Sequence, residues 1–260
     1  MIRQLINFAI TAVYTAILFP IAVLISLLKW DWGAGMWLAR EAWAPPQLFL
    51  ARADLKISGQ QNVDPKRPTI YVCNHQSTID IIVLLRAIPM DFKFIAKASL
   101  RWVPFLGWYL WLAGHVLVDR GNSQRAIASL DKAARRIQNG ISIVVFGEGT
   151  RSSDGKILPF KKGPFLLALK AGVAVVPVTI EGSWRVMPKN SWDVKPGTIH
   201  VKIGEPIDAS KFALEQREEF IRKVRDVIID QSLEVGGPGG DKTRAIAPKG
   251  KEGLGQANDE

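Results

Sequence analysis

Thr69-Ile70-Tyr71-Val72-Cys73-Asn74-His75-Gln76-Ser77-Thr78-Ile79-Asp80 opens as an apolar run and turns polar after Cys73. A short apolar run bounded in this way reads as a buried strand that ends in a loop. The strand delivers an imidazole and a carboxylate to its carboxyl end, where a general base and its orienting acid are commonly placed. A second apolar run, Ile141 to Val145, leads into Phe146-Gly147-Glu148-Gly149-Thr150-Arg151-Ser152 and sets an arginine among glycines and hydroxyls. A guanidinium grips phosphate oxygens through two parallel hydrogen bonds. An imidazole base beside such a loop suggests chemistry on a hydroxyl attached to a phosphate.

Outward from these stretches, apolar runs alternate with helical patterns. The expected strands are Thr69 to Cys73, Phe92 to Ala96, His115 to Val118, Ile141 to Phe146, Val173 to Ile180 and Ile199 to Ile203. The expected helices are Ser77 to Leu85, Ser123 to Gln138, Pro164 to Lys170 and Ala209 to Ser232. Alternation of this kind argues for an α/β fold with a largely parallel sheet flanked by helices, and sites in such sheets gather at the strands' carboxyl ends. After Val235, the run Gly236-Gly237-Pro238-Gly239-Gly240 begins a polar segment, 236–260, that is expected to be disordered.

Gln4 to Leu28 is free of charged residues and bounded by Arg3 and Lys29. As a helix it would be about 37 Å long, enough to cross about 30 Å of hydrocarbon. Pro20 falls inside it, and Trp30, Trp32, Trp37 and Trp43 follow as an interfacial aromatic belt would. A cleaved signal peptide fits poorly, because the apolar core is long and no small-x-small site precedes Lys29. Residues 1–50 are therefore expected to anchor the chain in a membrane and 51–235 to form the α/β domain.

The net charge of +10 sits mostly in that domain, which suits a body held against an anionic membrane surface. No zinc-finger spacing, RNP-like stretch or basic heptad is visible, so no nucleic acid partner is expected. One cysteine excludes a disulfide framework, and His75, His115 and His200 lack metal-ligand spacing, so no metal is expected. Ser77 and Asp80 also fit the two ends of a capping box, a role compatible with a catalytic one. Cys73 shares a strand face with His75, which admits a nucleophile, though a buried strand cysteine is the commoner case. Gly147-x-Gly149-x-x-Ser152 lacks the third glycine of a dinucleotide site and precedes Ser153-Asp154-Gly155 rather than a helix. Lys97 and the pair Lys161-Lys162 add positive charge near the loop or form a solvated face. Trp102, Phe105, Trp108, Tyr109 and Trp111 read either as core or as a surface dipping into lipid.

Asn74, His75 and Asp80, followed by Phe146, Glu148, Gly149, Thr150, Arg151 and Ser152, resemble two sequence blocks of the glycerolipid acyltransferase family. Gly147 stands where the family has proline. Weaker blocks resemble Phe94-Ile95-Ala96-Lys97 with Pro104 and Gly107, and Val176-Pro177-Val178. The resemblance implies a two-helix membrane-docking element and a catalytic domain on the cytoplasmic face. It implies His75 as general base with Asp80 as its orienter, and Glu148, Gly149, Thr150 and Arg151 as the acceptor's head-group site, with Lys97 nearby. The implied reaction moves an acyl chain from acyl-CoA or acyl carrier protein to 1-acylglycerol 3-phosphate, giving phosphatidic acid, with no cofactor beyond the donor. A lyso-ornithine lipid is an alternative acceptor. A membrane-tethered protein that binds anionic lipid without turnover is the reading from a different class.

Overall fold

The structure, a computed structural model, describes residues 2–30, 34–103, 106–119, 123–191 and 193–247. Trp32, Pro104 and Phe105, and residues 248–260 of the polar segment, lie outside this set. The strands are β1 (Ala53–Ser58), β2 (Ile70–Cys73), β3 (Phe92–Lys97), β4 (Val116–Val118), β5 (Ser142–Phe146), β6 (Val175–Glu181) and β7 (Gly197–Ile203). They form one sheet in the order β1-β7-β6-β2-β5-β3-β4. All neighbours pair parallel except β6 and β7, which pair antiparallel.

The helices are α1 (Ile2–Leu28), α2 (Ala34–Leu38), α3 (Ala44–Leu50), α4 (Asp80–Ala87), α5 (Leu106–Leu112), α6 (Ser123–Gln138), α7 (Gly163–Ala171), α8 (Ser183–Val186) and α9 (Arg217–Glu234). The α/β architecture expected from the sequence is the one observed. One apolar core lies on the sheet face carrying Tyr71, Cys73 and Val144, against Ala44, Leu48, Val83 and Leu84 of α3 and α4. The other lies on the face of Ile70, Val72, Ile143 and Val145, against Ala133, Phe165, Phe220 and Val224 of α6, α7 and α9. With both faces covered, every residue of β2 is buried, which is why the strand reads as a continuous apolar run.

Two expectations need correction. Ala209 to Ser232 is not one helix: a 3-10 turn, Ala209–Lys211, is followed by extended Phe212, and α9 starts only at Arg217. Nor is the chain after Val235 disordered throughout. The Ile157 and Phe160 N–H groups donate to the carbonyls of Gly239 and Ala245, and the Ala247 N–H donates to that of Phe160. Buried Arg225 donates to the carbonyls of Ile157, Leu158 and Asp241. Glycine-rich composition suggested a segment with little to bury, whereas its backbone is bound as a strap over the loop after β5.

α1 meets the helical segment from α2 to α3 through polar groups on a largely apolar surface. Between α2 and α3 the backbone widens into a π-helical turn, Ala39–Trp43, just ahead of Pro45 and Pro46. Pro46 has no N–H for the Ala42 carbonyl four residues back, and the Tyr14 hydroxyl donates to that oxygen at 3.1 Å. Trp43 Nε1 donates to Thr15 Oγ1 at 2.9 Å, and Thr11 Oγ1 donates to Gln47 Oε1 at 2.7 Å. The rest of α1 presents Leu5, Phe8, Val13, Ile17 and Leu24 to the outside. Among the described residues α1 is the one helix long and apolar enough to cross a membrane, by length and composition. If it is embedded, alkaline carbonate and high salt leave the full chain in the membrane fraction, because neither removes buried apolar area. Release of most of the protein by carbonate would contradict embedding.

Candidate active site

β2 and β5 run side by side with Cys73 opposite Phe146, so the loops leaving their carboxyl ends emerge together. The loop after β5 holds both backbone groups of His75. Its N–H donates to Glu148 Oε2 at 3.3 Å, and its carbonyl accepts from the Ser152 N–H at 2.8 Å. The imidazole stacks on Phe146 with ring centroids 3.7 Å apart. Its Nδ1 lies 2.8 Å from Asp80 Oδ2. That oxygen also accepts the Gln76 and Ser77 N–H groups at 2.7 and 2.9 Å, and Asp80 is fully buried as the first residue of α4. The Ser77 N–H bond reaches back as in a capping box, but α4 begins at Asp80 with Ile79 as its N-cap, so the carboxylate holds both the imidazole and the turn ahead of the helix.

His75 faces a cavity of about 1110 Å³. Lys97, Gly149, Thr150, Arg151 and Lys189 line it beside the imidazole, while Ala12, Ala16, Phe19, Met36, Leu85 and Leu110 make its body apolar. The two compartments suit an amphiphile with an anionic head and a hydrocarbon tail. Arg151 Nη1 donates to Thr78 Oγ1 at 2.9 Å, and Lys189 Nζ donates to the Arg151 carbonyl at 3.2 Å. Sequence reasoning missed Lys189, which lies thirty-eight positions beyond Arg151. Only the fold brings it to the loop.

Glu148 is placed differently from the expectation. It is buried and does not line the cavity, and its second oxygen accepts the Leu158 N–H at 3.1 Å. Burial pushes its carboxyl well above the usual range, opposed by these N–H donors. It clamps the His75 backbone to the following loop instead of meeting a head group. Lys161 and Lys162 do not line the cavity either, and Lys162 pairs with Glu218 at 2.6 Å. Asn74 extends the β2–β6 ladder, its amide exchanging two 2.8 Å hydrogen bonds with the Ile180 backbone. Cys73 is fully buried, and burial followed by the Asp80 charge pushes its thiol up, away from a reactive thiolate. Trp102, Trp108 and Trp111 are exposed rather than core, while Tyr109 of the same run faces the cavity. At Gly147 a Cβ would come within 3.0 Å of the Phe160 ring, and its N–H donates to the Cys73 carbonyl at 2.8 Å. Glycine fits that contact, and a proline would forfeit the hydrogen bond. No group of three or more metal-ligating side chains occurs among the described residues.

Comparison with known proteins agrees with this architecture. The sequence profile of the family described as Acyltransferase matches residues 54–181, which include both loops. A 1-acyl-sn-glycerol-3-phosphate acyltransferase of Saccharomyces cerevisiae is 36% identical over 203 residues, covering 77% of this chain and 67% of that protein. One from Cocos nucifera is 34% identical over 190 residues, covering 73% and 59%. The chain thus spans about three fifths to two thirds of these relatives. The crystal structure of the 1-acyl-sn-glycerophosphate (LPA) acyltransferase PlsC from Thermotoga maritima matches with a TM-score of 0.80 and 32% identity, over 90% of this chain and 95% of that one. Fold and sequence together define an acyltransferase. The chain belongs to the glycerolipid acyltransferase family, in the group of the 1-acyl-sn-glycerol-3-phosphate acyltransferases.

The clamp is testable apart from the chemistry. Glu148→Gln replaces one of two acceptor oxygens with a donor and leaves a buried N–H unpaired, at a cost of about 1–3 kcal/mol. The melting temperature is expected to fall by roughly 2–12 °C, since 1 kcal/mol shifts a domain of this size by roughly 2–4 °C. kcat should fall with it while the acceptor KM holds. A raised acceptor KM at an unchanged melting temperature would place Glu148 on the substrate.

Proposed function

We propose that the protein transfers a fatty acyl chain from a thioester, acyl-CoA or acyl carrier protein, to the free hydroxyl of 1-acyl-sn-glycerol 3-phosphate, forming phosphatidic acid for phospholipid synthesis. The observation that carries this reading is the His75–Asp80 pair, with the His75 ring on a cavity whose lining holds both basic and apolar side chains. With Nδ1 donating to Asp80, the other ring nitrogen, Nε2, bears the lone pair. His75 Nε2 takes the proton of the glycerol hydroxyl as its oxygen attacks the thioester carbonyl, and Asp80 stabilises the imidazolium. Collapse of the tetrahedral intermediate breaks the carbon–sulfur bond, and the thiolate leaves with the proton held by His75. No cofactor beyond the donor is required.

Arg151, with Lys97 and Lys189, receives the acceptor's phosphate. The guanidinium is already fixed on one side by Thr78, which lowers the ordering cost of binding. α1 holds the site at the membrane from which the lysolipid arrives, with the catalytic domain on the cytoplasmic face. Protease cutting of that domain only from the outside of right-side-out vesicles would contradict this orientation. A basic face that merely recruits anionic lipid consumes no donor, and a lyso-ornithine acceptor would not depend on a phosphate grip.

Purified variants assayed with a panel of lysolipids separate these readings. His75→Ala is expected to lower kcat by about 10² to 10⁴ with the melting temperature retained. Arg151→Ala should lower acceptor kcat/KM by at least about tenfold with donor KM little changed, because hydrogen bonds to charged groups contribute about 1.5–3 kcal/mol. Arg151→Lys should recover only part, since an ammonium lacks the fork. Weakened donor kinetics with intact lysophosphatidate kinetics in Arg151→Ala would overturn the assignment of this loop to the acceptor.

A further inference from the structure

Arg225 is a buried cation that the acyl-transfer chemistry does not use. It projects from α9 with 1% of its surface exposed, and each of its three nitrogens donates to a backbone carbonyl. Nη2 meets the carbonyl of Ile157 at 2.7 Å, Nε that of Leu158 at 3.0 Å and Nη1 that of Asp241 at 2.8 Å. Taking a guanidinium out of water is costly, whereas an apolar side chain of similar size packs without that cost. The use of the charge follows from what lies on the other side of the peptide it holds.

The carbonyl of Ile157 and the N–H of Leu158 belong to one planar unit, and in the trans form they point in opposite directions. Arg225 holds the oxygen, and Glu148 Oε1 accepts the N–H at 3.1 Å. Glu148 Oε2 in turn accepts the His75 N–H at 3.3 Å. A single peptide thus bridges a buried guanidinium and the buried carboxylate that clamps the base. A cation on the carbonyl polarises the amide and strengthens its N–H as a donor, as hydrogen bonds in a chain do in a low-dielectric interior. The two charges also act on each other through space. Burial pushes the Glu148 carboxyl well above the usual range, and the Leu158 and His75 N–H groups and the Arg225 charge oppose it. Burial likewise lowers Arg225, against the Asp226, Glu148 and Asp241 charges.

The strap closes the arrangement from the other side. The Ile157 N–H donates to the Gly239 carbonyl at 2.8 Å, so strap and guanidinium hold both backbone groups of this residue. At Gly240 a Cβ would come 2.7 Å from the Ile157 carbonyl oxygen and 3.1 Å from Arg225 Nη2, so any larger residue there must displace this contact.

We propose that Arg225 is a positioning residue for acyl transfer: through the Ile157–Leu158 peptide it holds the Glu148 carboxylate on the His75 backbone, and so keeps the imidazole on Asp80. The proposal rests on reading His75 as the general base.

Three variants of the full chain test it. Arg225→Met removes the charge and all three donors, Arg225→Lys keeps the charge with fewer donors, and Gly240→Ala disturbs the Ile157 contact with one methyl group. Each is assayed with acyl-CoA and 1-acyl-sn-glycerol 3-phosphate at a temperature where circular dichroism shows it folded. In Arg225→Met, kcat is expected to fall at least about threefold, the scale of one neutral hydrogen bond, with both KM values held. Arg225→Lys should recover part of the loss. In a Glu148→Gln background Arg225→Met should cost no further kcat, because the carboxylate through which it acts is gone. A residue that merely supports the fold would lower the melting temperature in both backgrounds and leave kcat of the folded enzyme unchanged. Hydrogen exchange of the peptide containing His75, read by mass spectrometry, follows the clamp without turnover, so failure of the clamp and failure of acyl transfer are distinguishable. Exchange there should be at least about threefold faster in Arg225→Met and in Gly240→Ala than in the wild type. Should Arg225→Met not fold, Gly240→Ala carries both readouts. Unchanged kcat or unchanged His75 exchange in a folded variant, or a kcat loss that adds fully to that of Glu148→Gln, would overturn the proposal.

Discussion

The fully buried carboxylate of Asp80 constrains everything around it. Taking such a charge out of water costs several kcal/mol unless it is well bonded. Here one oxygen, Oδ2, accepts from the His75 imidazole and from the Gln76 and Ser77 backbones, at the positive end of α4. These hydrogen bonds require the chain after β2 to turn tightly back on itself, and the turn is what aims His75 into the cavity. Glu148 and Ser152 then fasten the same residue from β5. The imidazole is thus held by its neighbours without any substrate, the ordering that the proposed role of general base calls for.

The second constraint is a cavity whose lining combines basic and apolar side chains. The basic lining comes from the carboxyl end of β3, the loop after β5 and Lys189, and much of the apolar lining comes from α1 and the α2–α3 segment. α1 therefore walls the cavity on one side and exposes apolar side chains on the other.

Much of this was legible in the sequence because the central strands are buried on both faces and carry uninterrupted apolar runs. β1 was missed for the opposite reason. At the sheet edge its residues alternate between half-buried and exposed, and Asp54 and Lys56 mask the pattern. His75 and Asp80 are five residues apart and could be paired by local reasoning. Lys189 and Thr78 reach Arg151 only through tertiary structure. Glu148 shows the limit most clearly, because its motif gives its identity but not its direction, and the carboxylate turns inward to two backbone N–H groups. The strap after Val235 was illegible because its order comes from backbone hydrogen bonds and Arg225, which glycine-rich composition does not advertise.

The central claim is that the hydroxyl attacks the thioester directly, with both substrates in one cavity and no acyl-enzyme, and Cys73 buried away from the chemistry. Initial-rate kinetics with donor and acceptor varied together test it most directly. Intersecting double-reciprocal lines, with no mass increase on enzyme incubated with donor alone, are the predicted result. Parallel lines together with an acyl adduct on the protein would contradict it and require a covalent route.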